Sequence, residues 1–226
     1  MRARRTTLTA EEVRRYYDRF GKKLDSQSFY ENPALDALIG PAAFEEARSV
    51  FEFGCGTGRF ALRLLREQLP ASARYHGCDL SPVMVSIASD NLAAYSDRTE
   101  VYRSDGEIRI PVQDNSMDRV VSSYVLDLLS DEGIREFLNE SYRVLEPGGR
   151  LCLTSLTCGT TIVSRIVSSL WMAVFRTCPS AVGGCRPILF DRYIDHDRWN
   201  TSHRSVVTPW GIPSEVIVLV STKRSV

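Results

Sequence analysis

The sequence predicts an α/β fold, a mostly parallel sheet with helices on both faces that ends in an antiparallel C-terminal hairpin. Two observations carry this. Strand-like and helix-like segments alternate from Ser49 to Leu156, the pattern of a parallel sheet whose crossovers are helices. Two further strand candidates, "HRSVVTPW" and "SEVIVLVST", follow near the C-terminus, joined by a turn at Gly211-Ile212-Pro213, close enough to pair antiparallel.

Taken in order, Leu8 to about Ile39 reads as helical segments, with Thr9 and Glu12 as a capping box and with Gly21 and Asn32-Pro33 as punctuation. Apolar "SVFEF" is the first strand. The glycine loop "GCGTG" follows it, and Phe60, Leu62, Leu64 and Leu65 then mark a helix that ends before Pro70. "RYHGCD" is the second strand and meets Ser81-Pro82, a helix start with serine at the N-cap and proline at the first turn. "EVYRSD" and "DRVVSSYVLDLL" supply the third and fourth strands. "DEGIREFLNESYRVL" is a helix with Ile134, Phe137, Leu138, Tyr142 and Leu145 near helical spacing on one side, and "EPGG" turns it into a fifth strand, "RLCLTSL". "GTTIVSRIVSSLWMAVFRTC" is a helix with a long apolar side, and "PSAVGGCRPILF" a loop. With the hairpin the strands number seven.

At 226 residues the chain suits one hydrophobic core with embellishments, so a single domain is expected over 1–226. Lys+Arg and Asp+Glu are both 28, which leaves no overall cationic field for a polyanion and excludes nucleic acid as the default partner. The basic "MRARR" start and Arg14, Arg15, Arg19, Lys22 and Lys23 read as a solvated face, interrupted by Glu11, Glu12 and Asp18. The six cysteines form no C-x-x-C pair and have no histidine at ligand spacing, so no metal site is expected; they read as small buried hydrophobes in a reducing compartment. No apolar run approaches the ~20 residues that span a bilayer, and the first residues lack the apolar centre of a signal peptide. A soluble, cytoplasmic protein without stable membrane insertion, monomeric or homodimeric, is the expectation.

In an open parallel sheet the ligand crevice lies at the carboxyl ends of the strands. Three such ends carry polar features: the loop with Gly54, Gly56 and Gly58, then Asp79, then Asp105. Taken singly, the glycines could make an ordinary tight turn, Asp79 could cap the next helix and Asp105 could be a turn residue. A dinucleotide loop wants a third glycine where this chain has Arg59, and a P-loop wants Lys followed by Ser or Thr where it has Arg59-Phe60.

Glu52-Phe53-Gly54-Cys55-Gly56-Thr57-Gly58 resembles the acidic-x-G-x-G-x-G motif of class I S-adenosylmethionine-dependent methyltransferases. Asp79, Ser104-Asp105-Gly106 and "LEPGGRLCL" are similar to further segments of that family, and the terminal hairpin to its reversed seventh strand. "YYDRF", "LSPVM" and "RVLEPGG" look most like the group related to ubiquinone and menaquinone C-methylation, methyltransferase type 11. The resemblance covers about Tyr16 to Val220 and implies a Rossmann-like sheet with S-adenosylmethionine as cofactor. It implies a helical lid over 1–45, a cofactor-binding core over 46–156, an acceptor-binding insertion over 157–200 and the hairpin over 201–226.

By the same resemblance, Gly54, Cys55, Gly56 and Gly58 bring backbone to the cofactor, Asp79 accepts from both ribose hydroxyls, and Asp105 and Gly106 face the adenine. Leu80 and Met84 sandwich the base, Glu52 orients the loop or meets the ammonium group, Tyr17 belongs to the lid, and Ser122, Ser123 and Tyr124 border the methyl group, with Asp127 just beyond. A carboxylate suits a diol because it accepts two charge-assisted hydrogen bonds.

Methyl transfer from a sulfonium is a direct displacement, so alignment matters most, and a base is needed only where the acceptor carries a proton. Tyr124 and His203 are the candidate groups for proton transfer, with packing as the alternative for each. Family members that methylate exocyclic amines resemble Asn/Asp-Pro-Pro-Tyr where this chain has "SSYVLDLL", which counts against such acceptors. The apolar side of the insertion, Ile162, Ile166, Leu170, Trp171, Val174 and Phe175, suits an aromatic, quinone-like or lipophilic small molecule methylated at carbon or oxygen; plain core packing explains the same stripe. Arg186 could pair an acceptor carboxylate or cap a helix. Three other readings stay open: a catalytically silent S-adenosylmethionine-binding partner protein, a nicotinamide-dependent oxidoreductase, and a protein or RNA as the methyl acceptor.

Overall fold

The computed structural model describes residues 7–224; the basic "MRARR" stretch lies outside them, as does the Lys22 side chain. Seven strands form one sheet: β1 (Ser49–Phe53), β2 (Arg74–Asp79), β3 (Thr99–Arg103), β4 (Met117–Ser123), β5 (Leu145–Leu156), β6 (Trp199–Val207) and β7 (Ser214–Ser221). Their order is β3-β2-β1-β4-β5-β7-β6. The first five run parallel, and β7 lies antiparallel to both β5 and β6. The expected mixed α/β sheet with a reversed final hairpin is thus the observed one.

The inner strands β1, β4, β5 and β7 are buried on both faces, because the side-chain period is two and helices cover both sides, while the edge strands β3 and β6 are largely open to solvent. Phe51, Phe53, Val120, Leu151, Leu153, Ile217 and Leu219 join one core, under α5 (Asp131–Val144), which contributes Ile134, Phe137 and Leu138. Val50, Val121, Cys152, Val216 and Val218 join the other, with Leu35 and Leu38 of α2 (Ser28–Ala42) and Phe60, Leu64 and Leu65 of α3 (Arg59–Glu67). The remaining helices are α1 (Ala10–Phe20), α4 (Pro82–Asn91) and α6 (Ile162–Thr177).

Local signals set several boundaries. Thr9 and Glu12 close the expected capping box on α1, and the Ser81 hydroxyl accepts from the Met84 amide at the start of α4, with Pro82 in the first turn. Two differ from the sequence reading. Helix α2 runs through Pro33 instead of breaking there, because its apolar face (Tyr30, Ala34, Leu35, Leu38) is buried and tertiary packing outweighs one lost backbone bond. "EPGG" is not a separate turn. Strand β5 begins at Leu145, directly after α5, and the extra residues are absorbed as an irregularity between the Met117–Leu145 and Arg119–Arg150 pairs.

Candidate active site

A cavity of about 440 Å³ opens at the carboxyl ends of β1, β2 and β4, where the crevice of an open parallel sheet belongs. The glycine loop forms its floor. Gly54 and Cys55 donate to the Cys78 carbonyl at the end of β2, which fixes the loop to its neighbouring strand. Gly54 sits at φ +78°, and a Cβ there would lie 2.3 Å from Val125 Cγ2, so only glycine lets the loop and the segment after β4 approach this closely.

Asp79, the last residue of β2, holds the centre. Its two carboxylate oxygens accept from the Gly56 and Ser81 amides, each at 2.9 Å. Burial pushes its carboxyl above the usual range, opposed by the N–H groups of Ser81, Gly56 and Leu80. Glu52 on β1 is a second carboxylate in the wall; it is buried, the Tyr75 hydroxyl donates to it at 2.6 Å, and burial pushes it up to about 7. Leu80, Met84, Phe53, Val125 and Ile108 supply apolar wall.

Helix α1 lies over the opening, with Ala10, Val13, Arg14 and Tyr17 in the lining. It is tied down by Asp18, which accepts from the Ser81 hydroxyl at 2.6 Å. The Tyr17 hydroxyl is 3.9 Å from the Cys185 sulfur, and Cys185 also lines the cavity. Burial pushes the thiols of Cys55 and Cys185 well up, so both are protonated at neutral pH and unfit as nucleophiles.

The cavity thus gathers Tyr17, Glu52, Gly54, Cys55, Gly56, Asp79, Leu80, Met84, Gly106 and Tyr124 of the expected site residues. Others lie elsewhere in the fold. Gly58 sits at the start of α3, where a Cβ would meet Ala88 of α4 at 3.1 Å, so it serves helix packing. The Ser122 hydroxyl donates to the Phe53 carbonyl, joining the ends of β4 and β1 behind the wall. Asp105 is exposed at the rim, accepting from the Glu107 amide, while Ser104, Gly106 and Glu107 line the cavity around it.

The proposed proton-transfer and acceptor groups are corrected further. His203 lies on β6, the far edge strand, paired with Ser205 at 3.0 Å and away from the cavity. Tyr124 does border the cavity at φ +55°, but its hydroxyl donates to Ser214 at 2.8 Å and burial raises its phenol far above neutrality, so it is no proton acceptor. Trp171 turns its indole N–H to the Cys185 carbonyl, supporting the wall from behind. The Arg186 guanidinium is committed to the Asp127 and Leu129 carbonyls and to Asp131, clamping the segment after β4.

Sequence reasoning missed the acidic and aromatic residues that α2 brings to the other end of the cavity. Glu31 and Tyr30 come from α2, whose ring packs edge-on against Tyr124 at 5.6 Å. Glu31 pairs with Arg59 at 2.8 Å and is pushed up to about 7 by burial. Behind them Asp127 is fully buried, and neither carboxylate oxygen has a partner at full hydrogen-bond geometry; burial pushes it up to about 7, against the pull of its own backbone N–H and of Arg186. Arg59 had a usable signal, since its place directly after the glycine loop puts it at the site whatever the ligand.

The fold and site have counterparts. Residues 50–149 match the methyltransferase domain family. Over 126 residues the chain is 32% identical to a tRNA N(3)-methylcytidine methyltransferase Mettl2 of Drosophila melanogaster, covering 54% of this chain and 39% of that one. Over 149 residues it is 30% identical to a malonyl-[acyl-carrier protein] O-methyltransferase of Marinomonas sp. (strain MWYL1), covering 66% and 53%. The chain therefore spans about half the length or less of these relatives. Among solved structures, the [4+2]-cyclase SpnF superposes with a TM-score of 0.70 at 16% identity, covering 95% of this chain and 97% of that one. Residues 50–149 are thus a methyltransferase domain, and the curated relatives named above are methyltransferases.

Proposed function

We propose that the cavity binds S-adenosylmethionine and that the protein transfers the methyl group to carbon or oxygen of an uncharged aromatic, quinone-like or lipophilic small molecule. The charge of the lining carries this reading. Asp25, Glu31, Glu52, Asp79 and Glu107 face the cavity against Arg14 and Arg59, and both arginines are already paired, with Glu11 and Asp18 and with Asp25 and Glu31. Such a site favours a ligand that carries cationic groups and hydroxyls and disfavours a pyrophosphate. A sulfonium with an ammonium tail and a ribose diol has that chemistry; a nicotinamide dinucleotide does not.

Asp79 would accept from the diol, Leu80 and Met84 would flank the base, and Gly106 would present its amide to the ring. Glu52 would face the ammonium end, with the glycine-loop amides beside it. The bound cofactor would supply an activated methyl carbon and a neutral leaving group. The chain would hold the acceptor in line with that carbon and exclude water, with Tyr17 and the rest of α1 as the cover.

The same charges bear on the acceptor. Relatives named for tRNA and for malonyl-acyl-carrier protein act on anionic partners, whereas Arg186 here is engaged within the fold and the cavity is acidic. An uncharged phenol or quinol meets no such penalty. Its proton would be taken by Glu31, the lining carboxylate that burial holds near neutrality beside Tyr30.

The deciding experiment titrates the protein with S-adenosylhomocysteine and NADH, then follows methyl uptake from labelled S-adenosylmethionine into phenols, quinols, carboxylic acids and tRNA. Saturable S-adenosylhomocysteine binding and labelling of a phenol or quinol are expected. Labelling of tRNA or a carboxylate alone would reject the acceptor class. Binding without any labelling would favour the catalytically silent partner.

A further inference from the structure

We propose that α6 is a membrane-surface helix that docks the protein on bilayers containing anionic lipids. Its orientation is the reverse of an ordinary surface helix. The face turned to the protein carries Ser164, Ser168 and Phe175, all buried, and the Ser168 hydroxyl accepts from the Gly159 amide at 3.1 Å. A Cβ on Gly159 would lie 2.1 Å from the Ser164 carbonyl carbon, so the strand exit packs directly on this small-residue face.

The aliphatic side chains point outward. Ile162, Val163, Ile166, Leu170 and Val174 are 79%, 62%, 56%, 63% and 40% exposed. At helical spacing they form one ridge along a helix of 16 residues, about 24 Å long. Leaving such a ridge in water forfeits burial that a soluble helix normally obtains. Among the described residues, no side chain of α6 lines the cavity, so the ridge is separate from the site and does not depend on its acceptor.

Two independent observations identify what covers it. The first is charge. From Pro147 to Phe190 there is no Asp or Glu, in a chain that has 28 of them, while Arg150, Arg165, Arg176 and Arg186 fall in that stretch. Arg165 and Arg176 are exposed and about three turns apart, so they share one edge of the ridge. A second copy of the chain meeting this face symmetrically would bring like charges together, whereas anionic headgroups complement them. The second is Trp210. It is 82% exposed, held at φ +54° in the turn between β6 and β7, and its neighbour Gly211 packs against Val163 and Val167 of α6. A left-handed tryptophan in solvent is costly in both backbone and burial. Beside an aliphatic ridge with arginines on its edge, its indole sits where the headgroup region favours one. No described helix is long and apolar enough to cross a membrane, so the contact is peripheral.

The test uses the whole chain and flotation with vesicles of phosphatidylcholine, with and without phosphatidylglycerol. Binding to the anionic vesicles is expected to exceed binding to the neutral ones by about tenfold or more and to weaken with salt. A blue shift of tryptophan emission should accompany binding and vanish in Trp210→Phe. The pair Ile166→Glu and Leu170→Glu should abolish binding with an unchanged thermal unfolding profile, since both residues are exposed; Arg165→Gln with Arg176→Gln should reduce it while leaving the ridge intact. Absence of vesicle binding at low salt, or binding unaffected by the glutamate pair, overturns the proposal. A dimer or an acidic protein partner dissolved by the glutamate pair, without vesicle binding, overturns it as well.

Discussion

The Tyr75 hydroxyl donates to the Glu52 carboxylate at 2.6 Å, reaching it from β2 through the space left by Gly77, the residue paired with Glu52 across the strands. A Cβ on Gly77 would lie 2.8 Å from that hydroxyl. Glycine in this strand thus makes room for the hydrogen bond that Tyr75 gives to a buried carboxylate of the cavity wall.

Tyr75→Phe should therefore destabilise the fold by about 1–3 kcal/mol above neutral pH, the cost of a buried charge that loses its donor. The loss should shrink in acid, because protonated Glu52 needs the bond less. Gly77→Ala should act in the same direction by displacing the tyrosine. Urea unfolding at two pH values measures both.

Asp79→Asn keeps one of the two oxygens that accept from Gly56 and Ser81. S-adenosylhomocysteine affinity is expected to fall about 30- to 300-fold, and Asp79→Ala to bind no better. Calorimetric titration reads this directly, and near-wild-type affinity in either variant would remove Asp79 from the proposed site.

Gly54→Ala meets two penalties, the collision with Val125 and a left-handed backbone. A loss of about 2–4 kcal/mol is expected. Adding Val125→Ala should recover the steric part and leave the backbone part, a partition that denaturant melts of the two variants would reveal.

Asp127 titrates near 7 in the fold against an ordinary 3.8, so folding takes up a proton there. That stabilising contribution is complete below the unfolded value and is lost as pH rises through 7. Asp127→Asn should gain on the wild type as pH rises from about 4 to about 7, by up to roughly 2–4 kcal/mol, and hold that gain above it. A melting-temperature difference that stays flat with pH would mean the carboxylate is not the buried titrating group described.

Much of this was legible in the sequence. Strand and helix periods, the capping box at Thr9 and Glu12, and the Ser81-Pro82 helix start depend on local rules that held, whereas the break expected at Asn32-Pro33 gave way to tertiary packing. Asp79 was findable because chain order alone puts the end of the second strand beside the glycine loop. The misses share another cause. A helical stripe such as Ile162, Ile166, Leu170 and Val174 shows that one side is apolar but not which way it faces; only the serine face packed on Gly159 decides that. His203 was misplaced because a terminal hairpin can join a sheet by either strand, and here β7 takes the inner position. For Arg186 the sequence left an acceptor carboxylate and a helix cap open, and could not choose, because the carbonyls it holds, those of Asp127 and Leu129 at the end of a short 3-10 helix, are far away in sequence.

That inner position of β7 also orders the birth of the fold. Val216 and Val218 complete one core and Ile217 and Leu219 the other, so neither core is finished until residues near 220 are available. Until then β5 presents an open edge, and a growing chain is exposed to mispairing there. Strand β7 is the one that locks the molecule, so this fold should complete only after residues near 220 have emerged from the ribosome.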